Sequence, residues 1–392
     1  MKRQYVCRAA VLLLFGGSIV ASVESVEQKN AWKGRVENKD GVSIVYNPEK
    51  PVYGEVRLDL REELSLGRED DERYLISGWG PLAVNAAGNI AIYNYKDAVI
   101  REYDASGTYL RTFGRKGQGP GEYQFVQSLF YDENGRLIAL ETNRLIVYGP
   151  DGKNPETMTW QSQLGASVPL GKNFIGRTMV RESYSVEMIT PKGETIRELD
   201  RFAWPVQKAA MFQMGFGYMN PFLPQIFFAP LGGGKAAYVY GLDYRYRVLD
   251  PSGRMILEVQ KEEKGESYTD KDKSSILAAE SEANEKPISD FKDMYVFPDR
   301  KSFIYGMTAD QDGWVYLMRT PVEKGKRPDL RFDVFDADGR YLARIVLPSL
   351  IVSLNYLFRN DRLYAWTSDP ESGDVFLKRY RIANLKEIGK AR

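Results

Sequence analysis

Histidine is absent from this 392-residue sequence, and cysteine occurs once, at Cys7. Without an imidazole there can be no Ser-His-Asp or Cys-His catalysis, no histidine-ligated zinc and no histidine general base. The chemistry that remains belongs to carboxylate, amide, Tyr, Lys and Arg side chains, or to oxygen ligands for Ca²⁺ or Mg²⁺.

An excess of charge of either sign is also missing. The chain has 54 Lys and Arg residues against 53 Asp and Glu residues, a formal net charge of +1. No overall field therefore draws nucleic acid or an anionic membrane to the protein, and we expect no nucleic-acid partner. Aromatic residues make up 12% of the chain and glycine occurs 35 times, which favours strands and tight turns.

A hydrophobic run long enough to span a membrane is lacking too. The apolar run at residues 9–21 is shorter than the roughly 20 residues that a transmembrane helix needs. It follows the basic residues Lys2, Arg3 and Arg8, and small residues end it. This pattern predicts a signal peptide over residues 1–22 and a periplasmic or extracellular protein, with an uncleaved membrane anchor as the alternative.

Cleavage after the signal peptide would change the chemistry of the mature chain. It would remove the single cysteine and three basic residues, so that the net charge falls from +1 to −2. A chain without thiols has no disulfide bond and no thiolate nucleophile or metal ligand. We therefore expect the mature protein to be stabilised by its hydrophobic core alone, which a chain of this length can supply.

Residues 81–123 contain the clearest repeating unit of the chain. Short runs rich in strand-forming residues predict four strands, at 82–85, 89–93, 99–103 and 108–113. The turn Asp-Ala-Ser-Gly at 104–107 suits an Asp that caps the turn and a Gly that adopts a positive φ. Four short antiparallel strands of this kind form one blade of a β-propeller.

The segment 114–123, Gly-Arg-Lys-Gly-Gln-Gly-Pro-Gly-Glu-Tyr, connects this unit to the next. The stretch 104–123 resembles the NHL repeat, whose outer strand is followed by such a glycine-rich linker, and the whole chain resembles bacterial six-bladed β-propeller proteins of the NHL-like type. The resemblance implies an all-β propeller of six four-stranded antiparallel blades over residues 67–392. We expect the N-terminal segment 23–66 to give a ring-closing strand to the last blade, from the run 42–46 or the run 52–58.

Paired turns mark the other five blades, and their recurrence is the internal evidence for a repeat architecture. These turns lie at 132–135 and 149–152, 169–172 and 190–193, 231–234 and 250–253, 310–313 and 336–339, and 359–362 and 371–373. Two of them, 310–313 and 336–339, carry Asp at alternate positions. Neither is followed by the Glu that a calcium-binding EF-hand loop needs, so we interpret them as capped turns.

Two insertions interrupt the repeat. The first contains a Met- and Phe-rich stretch at 211–228, which suits either an adaptable binding surface or packing that leads into the fourth blade. The second predicts one helix near 269–286, with Thr269 as N-cap, Asp270 and Asp272 in the first turn and Pro287 at the end.

The loops between the second and third strands of the blades are the candidate binding region, because they cluster on one face of the ring. Arg and aromatic side chains dominate interface energetics, although they also occur as ordinary strand residues. The candidate ligand or partner residues are Tyr95, Lys96, Asn143, Arg144, Arg181, Tyr184, Tyr244, Arg245, Arg319 and Trp366.

Three functions are compatible with this sequence. The first is an exported, monomeric, non-catalytic binding module or scaffold for a protein or glycan partner, without a cofactor. The second is a propeller hydrolase of the lactonase kind, in which Ca²⁺ or Mg²⁺ would be held in the central channel by Asn94, Glu141 and Asp243. The third is a sensor domain tethered to the membrane by an uncleaved N-terminal helix.

Overall fold

The structure is a computed structural model that describes residues 31–67, 70–76, 78–141, 143–159, 166–180, 183–205, 223–292, 295–319, 329–348, 351–369 and 371–390. The predicted signal peptide, Arg181 and residues 211–222 of the Met- and Phe-rich stretch lie outside the described residues. Residues 223–225 lead directly into the first strand of the fourth blade.

Strands dominate the described chain. Four strands precede the first complete sheet: β1 (Arg35–Lys39), β2 (Val42–Asn47), β3 (Glu55–Arg57) and β4 (Leu60–Leu66). The first sheet contains β5 (Leu82–Val84), β6 (Ile90–Asn94), β7 (Val99–Tyr103) and β8 (Tyr109–Phe113). A parallel two-residue ribbon follows, formed by β9 (Arg115–Lys116) and β10 (Glu122–Tyr123). The second sheet contains β11 (Ser128–Tyr131), β12 (Leu137–Leu140), β13 (Arg144–Tyr148) and β14 (Glu156–Thr159).

Four further sheets complete the architecture. The third contains β15 (Ala166–Leu170), β16 (Asn173–Val180), β17 (Ser183–Ile189) and β18 (Thr195–Ala203). The fourth contains β19 (Ile226–Leu231), β20 (Lys235–Tyr240), β21 (Arg245–Leu249) and β22 (Met255–Lys261). The helices α1 (Asp270–Asn284) and α2 (Ile288–Lys292) follow. The fifth sheet contains β23 (Ile304–Ala309), β24 (Val315–Arg319), β25 (Leu330–Phe335) and β26 (Tyr341–Leu347). The sixth contains β27 (Ile351–Arg359), β28 (Arg362–Ser368) and β29 (Val375–Ile382), and a 3₁₀ helix, Leu385–Ile388, ends the described chain.

These sheets are the blades of a six-bladed β-propeller, numbered I to VI in chain order, and each contains four antiparallel strands. Neighbouring blades pack face to face, and a separate hydrophobic cluster fills each of the six interfaces. A central strand such as β6 is buried along its whole length, because both of its faces meet other side chains. The outer strand β8 alternates exposed residues with half-buried or buried ones, because one of its faces meets solvent. The predicted fold is confirmed.

The N-terminal segment closes the ring, but not with either run that we expected. Strand β4 pairs antiparallel with β29, from Leu66 opposite Leu377 to Leu60 opposite Ile382, and so becomes the outer strand of blade VI. The expected runs pair elsewhere: β2 lies parallel to β22 in blade IV, and β3 lies parallel to β26 in blade V. Successive N-terminal strands thus cover the outer edges of blades IV, V and VI, edges that would otherwise be open to aggregation.

The predicted helix is confirmed as α1. The Thr269 hydroxyl accepts a hydrogen bond from the Asp272 backbone N–H at 3.1 Å, and the Asp272 carboxylate accepts one from the Thr269 backbone N–H at 3.1 Å. The helix ends at Asn284, and the next residue, Glu285, caps it in a left-handed backbone conformation before Pro287. Lys301 fastens the insertion at its base, since its ammonium lies 3.1 Å from the Asp272 carboxylate.

No helix among the described residues has the length and apolar composition required to cross a membrane.

The turns that join third to fourth strands also pack against the preceding blade, which gives their glycines a second role. Gly339 has a φ of +82°, and a Cβ atom there would lie 2.4 Å from Val259 Cγ2 in blade IV. Gly135, in a turn between first and second strands, has a similar φ of +74° but no heavy atom within 4 Å of such a Cβ. Glycine is therefore required at Gly339 both by the backbone and by packing.

We expect Gly339→Ala to lower the free energy of unfolding by about 2–3 kcal/mol, from left-handed strain plus overpacking. The matched Gly135→Ala variant should lose only about 1 kcal/mol, from the strain alone. Urea unfolding of both variants measures the difference. Equal losses would show that the contact with Val259 relaxes at no cost.

Candidate functional site

The antiparallel blades divide the ring into two faces. Turns between first and second strands and between third and fourth strands lie on one face. Loops between second and third strands lie on the other face, together with the connections between blades, and we call this second face the loop face. In blade VI the late turn at 371–373 joins β28 to β29, so it belongs to the loop face, because β4 supplies the fourth strand from elsewhere in the chain.

Three of the predicted site residues are buried instead of displayed on the loop face. Trp366 is 0% exposed and its indole N–H donates to the Gly80 carbonyl oxygen at 3.1 Å, between blades VI and I. Tyr184 packs against Trp204 and Tyr240 in the core of blades III and IV. Tyr244 is also buried. The expectation that these rings are exposed is wrong, because residues close to the strands turn into the interfaces between blades.

Arg144 fastens the glycine-rich linker. Its guanidinium contacts the Glu141 carboxylate at 2.5 Å and donates to the carbonyl oxygens of Gly117 at 3.3 Å and Gln118 at 3.2 Å. Asn143, beside it in the same loop, is exposed, as is Lys96 in the equivalent loop of blade I. Arg144 is therefore a structural residue, whereas Asn143 and Lys96 are available to a ligand.

The three residues nominated as metal ligands do not form one donor set. Glu141 accepts the backbone N–H groups of Gln124 and Phe125 at 2.5 and 2.7 Å through one oxygen, and pairs with Arg144 through the other. Asn94 donates to the Leu75 carbonyl oxygen. Asp243 lies in blade IV, away from the other two residues, and is 3.5 Å from Arg245 of the same blade. In the part of the chain that the structure describes, no three Asp, Glu, Cys or His side chains are grouped to hold a metal ion.

Three large aromatic side chains remain exposed where blades VI, I and II meet on the loop face. We call Trp79, Tyr95 and Phe125 the aromatic patch; they are 43%, 38% and 53% exposed. The Tyr95 and Phe125 rings lie nearly parallel, 5.4 Å apart and inclined by 26°. A Cβ atom at Gly78 would lie 3.6 Å from the Tyr95 ring, which places the Trp79 segment against the same tyrosine.

Side chains beneath the aromatic patch hold its segments in place. The buried ring of Tyr93 meets Tyr95 edge-on at 5.1 Å and Phe125 at 6.5 Å. Glu141 holds the Phe125 backbone N–H, and the Asn355 amide of blade VI donates to the Trp79 carbonyl oxygen at 2.8 Å. The exposed rings are thus presented by three fixed segments of chain.

A pocket of about 280 Å³ opens on the loop face beside the helical insertion, and we call it the blade IV pocket. Its lining includes Leu242, Asp243, Tyr244, Arg245, Lys261, Glu263, Arg300 and Phe303. Three of the residues singled out from the sequence, Asp243, Tyr244 and Arg245, come together here. Burial raises the pKa of Asp243, and Arg245 partly opposes this effect.

A buried charge network lies under the pocket and joins blades IV and V. We call it the Asp333 network; it consists of Asp333, Lys261, Glu263, Arg319, Arg344, Tyr244 and Tyr341. The Asp333 carboxylate lies 2.8 Å from Arg344, 3.3 Å from the Lys261 ammonium and 3.4 Å from Arg319. The hydroxyl groups of Tyr341, at 2.6 Å, and Tyr244 also donate to it.

Burial by itself would raise the pKa of Asp333, but the positive charges of Lys261, Arg344 and Arg319 outweigh burial and lower the pKa to about 2. Arg319 also pairs with Glu263 at 2.8 Å, so this predicted site residue is held within the network. The network therefore stabilises the boundary between blades IV and V, beneath the pocket.

Sequence reasoning missed Trp79, Phe125 and Arg300. It considered loops within blades, whereas Trp79 and Phe125 lie in segments that enter blades and Arg300 ends the helical insertion. A usable signal existed for Phe125: it follows the glycine-rich linker directly, and that linker must cross the loop face to reach the next blade.

Comparison with known proteins supports the fold. A family model described as a 6-bladed beta-propeller matches residues 72–162. A solved structure from Bacteroides fragilis, of a protein proposed to be exported, is 14% identical with a TM-score of 0.50, and the alignment covers 87% of this chain and 100% of that one. The calcium-binding protein regucalcin from Agrobacterium tumefaciens is 12% identical, with a TM-score of 0.40 and coverage of 84% and 96%.

Virginiamycin B lyase from Staphylococcus aureus is 13% identical, with a TM-score of 0.41 and coverage of 82% of this chain and 99% of that one. No curated protein matches the sequence. At these identities the likeness concerns the fold. The protein is a six-bladed β-propeller, and any statement of function depends on its own residues.

Proposed function

We propose that this protein is an exported, non-catalytic binding module whose aromatic patch binds a glycan. The observation that carries the proposal is the exposed, stacked pair of Tyr95 and Phe125, with the segment of the exposed Trp79 beside Tyr95. Single exposed apolar residues are common on protein surfaces, but a contiguous patch marks an interaction site. The signal-peptide pattern at residues 1–22 supports export.

The size and chemistry of the patch favour a sugar over a protein partner. From the exposed fractions, the three rings offer roughly 300 Å² of surface, well below the ~800 Å² that each partner buries in a stable protein complex. A pyranose ring has an apolar face of C–H groups that packs on an aromatic ring, with hydroxyl groups around its edge. The exposed polar side chains of Lys96 and Asn143 lie in the loops beside the patch and can bond such hydroxyl groups.

The Glu141 carboxylate, which holds the backbone of Phe125, is not available for catalysis. Both oxygens of Glu141 are engaged, one by two backbone N–H groups and the other by Arg144. A general acid or nucleophile must reach the substrate with a free oxygen atom. In this proposal Glu141 is a positioning residue that fixes the backbone of Phe125.

Affinity electrophoresis through gels that contain soluble neutral polysaccharides tests the proposal. We expect xylan, mannan, laminarin or a cellulose derivative to retard the protein. Phe125→Ala and Tyr95→Ala should each weaken the retardation about tenfold in Kd, equivalent to a loss of about 1.4 kcal/mol.

Leu110→Ala is the matched control, because Leu110 is 39% exposed but lies on the outer strand of blade I, away from the loop face. It should migrate as the wild-type protein does. Migration unaffected by every polysaccharide, or retardation that survives both aromatic substitutions, would refute glycan binding by the patch.

A further inference from the structure

The blade IV pocket lies at the root of the helical insertion. The loop between β20 and β21 forms one side of the pocket with Leu242, Asp243 and Arg245. The other side is formed by Gly265 and Arg300, which flank the two ends of the insertion. None of the residues of the aromatic patch lines it. The pocket is thus a separate concavity on the loop face, formed where blade IV and the insertion meet.

Two arginines in the lining have hydrogen-bonding capacity to spare. The buried Nε of Arg245 has no hydrogen-bond partner among the described residues, and its nearest carboxylates, Asp243 and Glu258, lie 3.5 and 4.0 Å away. Arg300 makes no hydrogen bond or ion pair within the described part of the chain. A buried donor without an acceptor is costly, so the Arg245 Nε favours a ligand acceptor, and the exposed Arg300 has its five donors available to a ligand.

Charge in the lining also favours an anion. Lys261, Arg245 and Arg300 outnumber Asp243 and Glu263 by one. The buried Lys261 ammonium is already paired with Glu263 and Asp333, so its charge is neutralised, whereas Arg300 has no ion pair among the described residues. Arg245 lies within 4.0 Å of Asp243 and Glu258, so the positive charge that is left unmatched belongs to Arg300.

The rest of the lining combines the polar side chain of Gln260 with a smaller apolar part. The rings of Tyr244 and Phe303 lie 5.7 Å apart and Leu242 is beside them. A volume of about 280 Å³ accommodates one sugar-sized ring and its substituents, and is too small for an oligosaccharide.

From these features we propose that the blade IV pocket is a second binding site, which takes a small carboxylate of monosaccharide size, of the sugar-acid class. The planar carboxylate matches the fork of a guanidinium, as a bidentate ligand of Arg300 with Arg245 beside it. The body of the ligand packs against Tyr244 and Phe303. This proposal does not rest on glycan binding by the aromatic patch.

Titration calorimetry of the full chain with D-glucuronate tests the assignment. We expect saturable one-to-one binding, and no binding of D-glucose, which has the same ring without the carboxylate. Arg300→Gln and Arg245→Gln should each weaken glucuronate binding at least about tenfold. Arg300 is exposed, so its substitution should leave the melting temperature unchanged.

Two control variants distinguish binding in the pocket from binding elsewhere on the surface. Arg254→Gln should bind glucuronate as the wild type does, since Arg254 lies on the opposite face of blade IV and is 74% exposed. Phe125→Ala should also retain binding, which distinguishes this proposal from the function of the patch. Absence of glucuronate binding, equal binding of glucose or inorganic phosphate, or full binding by both arginine variants would overturn the assignment.

Discussion

Asp333→Asn is expected to lower the free energy of unfolding by about 3–5 kcal/mol, because it removes one partner from a buried network of charges. The Asp333 side chain is 0% exposed, and three cations surround it. With asparagine in its place, only Glu263 would remain to balance Lys261, Arg319 and Arg344. Chemical denaturation of the two proteins at neutral pH measures the loss.

Asp338→Asn is the matched control, because Asp338 lies in the same blade and pairs with Arg340 but is 70% exposed. A surface ion pair of this kind contributes about 0–1 kcal/mol, so this variant should be nearly as stable as the wild type. Equal stability of the two variants would show that the Asp333 network does not hold blades IV and V together.

The same network gives a pH dependence of known sign. The pKa of Asp333 is lowered from its ordinary value of 3.8 to about 2 in the folded protein. Its contribution to stability is therefore complete above the ordinary value and disappears as the pH falls through the folded value. The stability difference between wild type and Asp333→Asn should shrink between these two pH values and be constant above about pH 5.

Trp366→Ala should lower the free energy of unfolding by about 3–5 kcal/mol, the cost of emptying a fully buried aromatic site. The indole fills the junction of blades VI and I, where the ring closes, and its loss would also leave the Gly80 carbonyl oxygen without this donor. Urea unfolding followed by circular dichroism measures the effect.

Trp79→Ala provides the comparison for that substitution, since Trp79 is 43% exposed and belongs to the aromatic patch. It should change stability by less than about 1 kcal/mol while it weakens sugar binding. The two substitutions thus distinguish a tryptophan that stabilises the fold, Trp366, from one that contributes to sugar binding, Trp79. A large stability loss in Trp79→Ala, or none in Trp366→Ala, would reverse these assignments.

The fold could be predicted from the sequence because the Asp- and Gly-containing turns recur in most of the blades. The strand that closes the ring could not, because β4 is an outer strand: Arg61, Glu62 and Glu63 are all exposed, and only Leu66 is fully buried. The more apolar runs 42–46 and 52–58 looked like better strands, but they contribute β2 and β3, which extend blades IV and V. The NHL type of the repeat stays a prediction.

The site was only partly predictable, since strand order locates a loop but not the direction of its side chains. Tyr95 and Arg245 lie in the expected loops and reach the patch and the pocket. Trp366, in an equivalent position, turns inward to fill a blade interface. Phe125 and Arg300 are brought to the loop face by a linker and an insertion, whose paths depend on tertiary packing.

The most direct test of glycan binding is a calorimetric titration with an oligosaccharide cut from the retarding polysaccharide. Wild type and the Tyr95→Ala/Phe125→Ala double variant are compared, and thermal melting of both shows whether the ring is intact. We expect saturable binding by the wild type and none by the folded double variant. Equal affinity of the two proteins for the oligosaccharide would contradict glycan binding by the aromatic patch.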